Sequence, residues 1–423
     1  MPIKSFKLAN FRKFHEINLE FSEQINFLIG KNASGKTSIL EAIYLLSCGR
    51  SFRTSNLANL VKLENLSNLS NSGNAIPINI WAKITQDNNL QSLISYSRNS
   101  NTGKKKILLN EKPLNSLAEI ARLLPVCIID GEGFKGVSAP PQQRRQLFDW
   151  GMFHVKHEFY PIWRKYTKAL DQRNSLIRSS KLSYNFNDFK QFLPWDNMLA
   201  EAALELITLR QQYFNIIAEK FYYYINKLNN PLNSSLNNNI QIELNSGLGD
   251  AATIIPTIQE IKLALNRNLK KDLLKGYTSI GPHRADIVFK IDGQPAKELV
   301  SSGQEKVIMI AFYLALIDII KELTGKKCTI LIDDIAAELD NTSKNLLCEQ
   351  LFNSGHQLIM TAIRESDLPL ELFNLNNNVI NNSFKMFHVE HFSFEYGTEY
   401  GTEYSKYLAA EHIKDIKNEK EMV

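Results

Sequence analysis

Gly30-Lys31-Asn32-Ala33-Ser34-Gly35-Lys36-Thr37 fits G-x-x-x-x-G-K-[ST], the pattern of a phosphate-binding loop. The apolar run Ile25-Asn26-Phe27-Leu28-Ile29 before it reads as a buried strand. Ser38-Ile39-Leu40-Glu41-Ala42-Ile43-Tyr44-Leu45-Leu46 after it reads as a helix. Strand, loop and helix in that order are the setting the pattern needs. The glycines let backbone N–H groups turn inward at phosphate oxygens, and the helix N-terminus adds positive partial charge. Lys36 is expected on the β- and γ-phosphates of a triphosphate, and Thr37 on its Mg²⁺.

Outward from the loop, the 423 residues allow two or three domains, and the 44% hydrophobic content indicates a globular chain. With 49 basic against 44 acidic residues the net charge is +5, a mild bias that permits a nucleic-acid partner without demanding one. Cys48, Cys127, Cys328 and Cys348 form no C-x-x-C pair, so no zinc or redox site is indicated, and a reducing cytosol fits. Met1 to Phe6 carries no signal-peptide core. No apolar stretch approaches the roughly 20 residues of a membrane span.

Strand-like alternation runs over residues 3 to 29, interrupted by Asn10-Phe11-Arg12-Lys13. Gly49-Arg50-Ser51-Phe52-Arg53-Thr54 admits two readings, a helix C-cap with a solvated loop or a phosphate contact. Further strands are expected near 78–84, 93–97, 106–109 and 124–129. From about Gln142 to Leu228 the pattern is helical, with helices over 158–179 and 197–228. Strand signals return only after Gly276, at 285–291, 329–332 and 357–361, with an apolar helix over 307–323. An α/β unit is thus interrupted by a helical insertion. The tandem Tyr-Gly-Thr-Glu repeat at 396–403 and the charged end after it read as a disordered tail.

The last third carries the other half of a nucleotide site. Ile330-Leu331-Ile332-Asp333-Asp334 is an apolar strand ending in two carboxylates. Asp333 would hold Mg²⁺ and Asp334 would position or deprotonate the attacking water. Ser301-Ser302-Gly303-Gln304 opens an apolar helix, an N-terminus suited to an anion.

These segments resemble a known family. Ser301 to Gln304 resembles the signature motif of ABC ATPases, Asp333-Asp334 its Walker B pair, and Glu338-Leu339-Asp340 its D-loop. The wide separation of phosphate loop and signature resembles the SMC-like branch. Within that branch the chain resembles the RecF family of bacterial DNA replication and repair proteins. The residues that carry this are Gly30 to Leu46, Gly49 to Arg53, Arg144-Arg145-Gln146-Leu147-Phe148-Asp149-Trp150-Gly151, Gln172-Arg173-Asn174, Gly281-Pro282-His283-Arg284 and Phe387-His388-Val389-Glu390. The resemblance implies an α/β fold, an ABC-type ATPase head (P-loop NTPase) with an inserted helical arm domain. The head would cover 1–135 and 271–390, the arm 136–270 and the tail 391–423. It implies ATP and Mg²⁺ as cofactors, with Gly30 to Thr37, Arg12, Ser301, Gly303 and Gln304 around the nucleotide and Lys36 and Asp334 in catalysis. It further implies a cytoplasmic, weakly active, DNA-stimulated ATPase that dimerises with ATP on gapped DNA or at single-/double-stranded junctions. RecR- and RecO-type mediators would be its partners in recombinase loading.

Arg144, Arg145, Arg164, Lys165, Lys168, Arg173 and Arg178 are candidates for the DNA backbone. No base-reading motif is visible, and His283 is given no chemical role. Asp334 stands where most ABC proteins have Glu, Thr361 or Ala362 where transporters have a switch histidine, and no Q-loop glutamine is found near Ile129-Asp130. Two other readings stay open: the ATPase subunit of a membrane transporter, and an SMC-type tether. The long insertion and missing histidine weigh against the first, and the shortness of that insertion against the second.

Overall fold

The structure, a computed structural model, describes residues 2–61, 77–85, 90–99, 101–114, 116–182, 189–232, 240–249, 255–334, 339–369 and 384–389. The proposed tail and Glu338 of the D-loop lie outside them. The chain divides into two compact units, Met1–Phe134 with Gly325–Val423, and Lys135–Thr324.

In chain order, the first unit opens with strands β1 (Ile3–Phe11), β2 (Phe14–Glu20) and β3 (Ile25–Ile29) and helix α1 (Lys36–Cys48). Strands β4 (Ile78–Thr85), β5 (Gln91–Arg98), β6 (Lys105–Leu109) and β7 (Lys112–Pro113) follow, then α2 (Leu117–Leu123), β8 (Val126–Ile129) and α3 (Gly131–Phe134). The second unit holds α4 (Pro141–Val155), α5 (Phe159–Leu182), α6 (Leu193–Leu232), β9 (Ile240–Asn245), α7 (Ile258–Lys275), β10 (Asp286–Ile291), β11 (Gln294–Pro295) and α8 (Ser302–Thr324). The chain then returns to the first unit with β12 (Thr329–Ile332), α9 (Asn341–Ser354), β13 (Gln357–Ala362) and β14 (Phe384–His388).

Two sheets form the first unit. Strands alternating buried and exposed residues make the antiparallel sheet, in the order β2-β1-β4-β5-β6-β7. Continuous apolar runs make the other, in the order β14-β3-β13-β12-β8. Its pairs are all parallel, and β3, β12 and β13 are buried at every position, as strands covered on both faces must be. Helix α1 is buried nearly all round and shares one core with both sheets through Ile39, Leu40, Ile43, Leu45 and Leu46. Each such aliphatic side chain contributes about 1.5–3 kcal/mol. In the parallel register, β3, β12 and β13 end side by side, so the loop after Ile29, the Asp333-Asp334 pair and Thr361 meet at one sheet edge. Open parallel sheets place ligands at such strand ends.

Helix α8 is apolar on all sides and is the core of the second unit, with α4 and α6 packed on it. That packing explains the Arg144 to Gly151 motif. Phe148 meets Tyr213 with ring centroids 5.1 Å apart, and Asp149 holds both Nε and Nη2 of Arg210 at 3.0 and 2.7 Å. A Cβ on Gly151 would sit 2.4 Å from the Tyr213 hydroxyl. Phe289 of β10 packs edge-on against Phe312 of α8 at 5.6 Å.

The sequence division placed 271–324 with the head; the structure groups this stretch with the helices, because α8 is buried among them. Strand signals also return earlier than Gly276. Ile240-Gln241-Ile242 pairs as β9 with β10, and α7 follows, opened by a capping box between Thr257 and Glu260. The Asn-rich run before β9 masked that short alternation.

Candidate nucleotide-binding site

The phosphate loop leaves β3 with the Gly30 N–H bonded to the Ala362 carbonyl at 3.2 Å. It closes on itself through the Ser34 N–H and the Lys31 carbonyl at 3.0 Å. Ala33 and Gly35 have φ of 59 and 112. At Gly35 the left-handed backbone and lack of room both require glycine, since a Cβ there would lie 2.4 Å from the Phe14 ring. No side chain caps the N-terminus of α1, so its first amides point into the loop.

Two ammonium groups line the loop. Lys36 Nζ donates to the carbonyls of Gly30 at 2.6 Å and Lys31 at 3.1 Å, and Lys13 Nζ donates to the Ala33 carbonyl at 2.7 Å. Burial pulls both pKa values down; for Lys36 the charges of Asp334 and Asp333 oppose it, and for Lys13 the neighbouring Lys36 adds to it. The Ser34 hydroxyl is buried without a hydrogen bond among the described residues. An uncapped helix end, two cations drawn together and an orphaned hydroxyl fit a bound polyphosphate.

The carboxylates stand beside this loop. Asp333 Oδ1 accepts the Thr37 hydroxyl at 3.0 Å and the Thr361 hydroxyl at 2.8 Å. The Thr361 oxygen in turn accepts the Asp334 N–H at 2.8 Å. Asp334 has φ 50, a left-handed conformation that costs a non-glycine residue about 1–2 kcal/mol. Among the described residues no group of three or more acidic, His or Cys side chains forms a metal cage. Mg²⁺ needs only one or two protein ligands besides phosphate and water, and the adjacent Thr37 and Asp333 oxygens fit that need. At the equivalent end of β8, Asp130 accepts the Gly133 N–H at 2.8 Å; burial raises its pKa.

Arg12 corrects an expectation. Its Nε and Nη2 grip the fully buried Glu41 at 2.9 and 2.8 Å, and Nη1 bonds the Asn59 carbonyl at 3.0 Å. It braces α1, and Lys13 is the cation that reaches the loop. Of the two readings of Gly49 to Thr54, the C-cap is present, with Gly49 left-handed and its N–H on Leu45. The following residues are tied in, Ser51 bonding Glu41.

In the second unit, Ser301 and Gln304 cap one another: the Ser301 N–H meets Gln304 Oε1 at 2.9 Å, and the Gln304 N–H meets Ser301 Oγ at 3.3 Å. Ser301, Ser302 and Gly303 are exposed, and a Cβ on Gly303 would meet nothing.

The structure separates the proposed DNA contacts. Arg173 is withdrawn from the set: it is 0% exposed, with Nε 2.6 Å from Asp196 and Nη1 2.8 Å from Asp272. Arg144 is also withdrawn, bidentate to Asp286 at 2.9 and 2.8 Å and bonded to the carbonyls of Gly136, Val137 and Ala139. Arg145 donates to the Ala285 carbonyl at 2.6 Å. Arg164, Lys165, Lys168 and Arg178 are exposed along α5, Lys165 being shared with Glu205 at 2.7 Å. His283 bridges the Tyr166 hydroxyl and the Thr278 carbonyl at 2.6 and 3.0 Å, which leaves it structural.

Glu41 and Thr361 are the residues that sequence reasoning gave no role at the site, whereas Lys13 shares with Arg12 the position after the first strand where related heads contact adenine or phosphate. Only Thr361 left a signal, a lone hydroxyl ending the apolar run Leu358-Ile359-Met360.

A family model described as RecF/RecN/SMC N terminal domain matches residues 2–379. The DNA replication and repair protein RecF of Vibrio cholerae is 30% identical over 397 residues, 94% of this chain and all of that protein. RecF of Teredinibacter turnerae is also 30% identical, over 92% of this chain and 96% of its own. Among solved structures, the recombination mediator RecF with ATPrS, described as part of the RecFOR pathway, aligns with TM-score 0.74 at 26% identity, covering 92% of this chain and 95% of that one. An Smc head bound to the C-winged helix domain of ScpA aligns with TM-score 0.52 at 16% identity over 99% of both chains, which shows the fold of an ABC-type ATPase head. The phosphate loop, the carboxylate pair at the neighbouring strand end and this near full-length similarity agree: the chain belongs to the RecF/RecN/SMC family, as a member of its RecF branch.

Proposed function

We propose that the protein is an ATP-binding DNA repair ATPase whose two copies close on DNA when ATP binds. The observation that carries this is the Thr37–Asp333 contact at 3.0 Å beside Lys36, a pair of oxygens suited to the Mg²⁺ of a bound triphosphate. Lys36, Lys13, Ser34 and the first amides of α1 would hold the phosphates, and Thr37 and Asp333 the Mg²⁺. Bound MgATP supplies an electrophilic γ-phosphorus and an ADP leaving group. Asp334 would accept the proton of the attacking water at a carboxylate oxygen; an aspartate there, shorter than glutamate, fits slow turnover. Four free cysteines suit a cytoplasmic setting.

The exposed Ser301 helix end and open Gly303 support a composite site in which a second copy completes the γ-phosphate shell. Moving from 1:99 to 99:1 dimer takes about 5.5 kcal/mol of differential binding, within reach of two triphosphates with charge-assisted bonds. DNA would be held through its backbone by the exposed cations of α5. Trp163, 40% exposed and stacked on Tyr160 at 6.4 Å, adds a surface for an unpaired base. RecR- and RecO-type mediators are the proposed partners, since a RecF relative is described within the RecFOR pathway. Gapped DNA, single-/double-stranded junctions and recombinase loading are the proposed context.

Sedimentation with ATP and with ADP, with and without duplex DNA, tests the reading. ATP alone should shift the protein to a dimer and DNA should strengthen it. Ser301→Arg should bind ATP and stay monomeric; a dimer of that variant would remove the composite site.

A further inference from the structure

We propose that Thr361 is a positioning residue for the magnesium site, setting both carboxylate residues of the neighbouring strand with one hydroxyl. This rests on the ATPase reading above. Thr361 is fully buried near the end of β13, between β3, which feeds the phosphate loop, and β12, which feeds the carboxylates. Its Oγ1 donates its single hydrogen to Asp333 Oδ1 at 2.8 Å and accepts the Asp334 N–H at 2.8 Å. A hydroxyl bonded on both sides has no rotational choice left.

Two consequences follow for the site. Asp333 Oδ1 receives hydroxyl hydrogens from both Thr37 and Thr361, which fixes the plane of the carboxylate that would hold Mg²⁺. Asp334 is held in its left-handed turn by a bond to its own N–H, which fixes where its carboxylate leaves the strand. Against transporters, Thr361 or Ala362 stands where a switch histidine would be. The geometry gives it a different task, orienting the groups that act rather than touching the phosphate.

Thr361→Val keeps the branched shape and removes the hydroxyl; Thr361→Ser keeps the hydroxyl and removes a methyl. Affinity for a fluorescent ADP is measured in EDTA and across a Mg²⁺ titration, beside ATP turnover. Thr361→Val should bind metal-free ADP within about twofold of the parent, lose most of the Mg²⁺-dependent gain, and turn over about 10- to 100-fold slower at saturating nucleotide. Thr361→Ser should restore both within about threefold. A purely packing role predicts the reverse order, with serine the poorer variant. A valine variant with the parent's Mg²⁺ response, or a serine variant lacking it, overturns the proposal. Should the valine variant fail to fold, the serine variant decides alone: a retained Mg²⁺ response supports the hydroxyl and a lost one rejects it. If the parent itself binds no nucleotide, the ATPase reading falls and this role with it.

Discussion

The two units present their functional side chains in opposite ways. In the first, the carboxylate and hydroxyl groups are gripped from far along the chain: Thr37 and Asp333, 296 residues apart, are 3.0 Å from one another, and Thr361 reaches 28 residues back to Asp333. In the second, Ser301 and Gln304 cap one another over three residues, with Ser301 exposed. Among the charged groups of the second unit held from afar, Arg173 and Arg210 tie helices to one another and Arg144 ties α4 to β10. The magnesium-site groups of the first unit are set by distant partners. The exposed helix end of the second is set only by its own turn.

The largest expected effect breaks the ties between helices. Arg173 sits between Asp196 and Asp272 with none of the three in solvent. Arg173→Met leaves two buried carboxylates uncompensated and should cost about 3–5 kcal/mol, read as a fall in the denaturation midpoint. A variant of unchanged stability with weakened DNA binding would return Arg173 to the DNA surface.

Next comes a pH effect in the same unit. Burial holds His283 down to about 4, against an ordinary value of 6.5. The unfolded chain takes up a proton near pH 6.5 that the folded chain refuses until about pH 4. Stability therefore rises with pH across that window and is full above it, by about 3 kcal/mol in all. His283→Gln should flatten the dependence of melting temperature on pH between 7 and 5; an equally steep curve would place the titrating group elsewhere.

The contrast is sharpened in the first unit by Lys36→Ala. Loss of the ammonium between the loop carbonyls and the two aspartates should weaken ATP at least about a hundredfold. The melting temperature without nucleotide should barely move, because among the described residues Lys36 bonds the carbonyls of its own loop. A large loss of stability would mean that the loop is built by Lys36 rather than ready for phosphate.

The first unit was largely legible in sequence because its signals are local. Ile25 to Leu46 reads as strand, loop and helix without knowledge of anything distant, and β12 begins and ends at the residues that the apolar run marks. What sequence hid was pairing at a distance. Nothing near Arg173 announces Asp272, 99 residues on, so a buried arginine and an exposed one look alike in a basic helix. Arg12 was misread for the same reason, its partner Glu41 lying on the far side of the loop. Thr361 carries no local signal of its partner, because the strand register is what sets it beside Asp333.

The smallest effect concerns the cations that the helix packing leaves over. Arg164 lies 5.9 Å over the Tyr160 ring, and Lys168 stands exposed one turn further along α5. Removing one cation that neutralises a phosphate should reduce the slope of log K against log salt by about 0.9. Arg164→Ala with Lys168→Ala should therefore flatten the slope by about two and weaken binding severalfold at low salt, with stability unchanged. Arg144→Ala should do the opposite, since its guanidinium is spent on Asp286 and three carbonyls: a less stable protein with the parent's slope. If the two variants exchanged these outcomes, the outward face of α5 would be no DNA surface. The division between arginines that hold the fold and cations that meet a partner would then have to be redrawn.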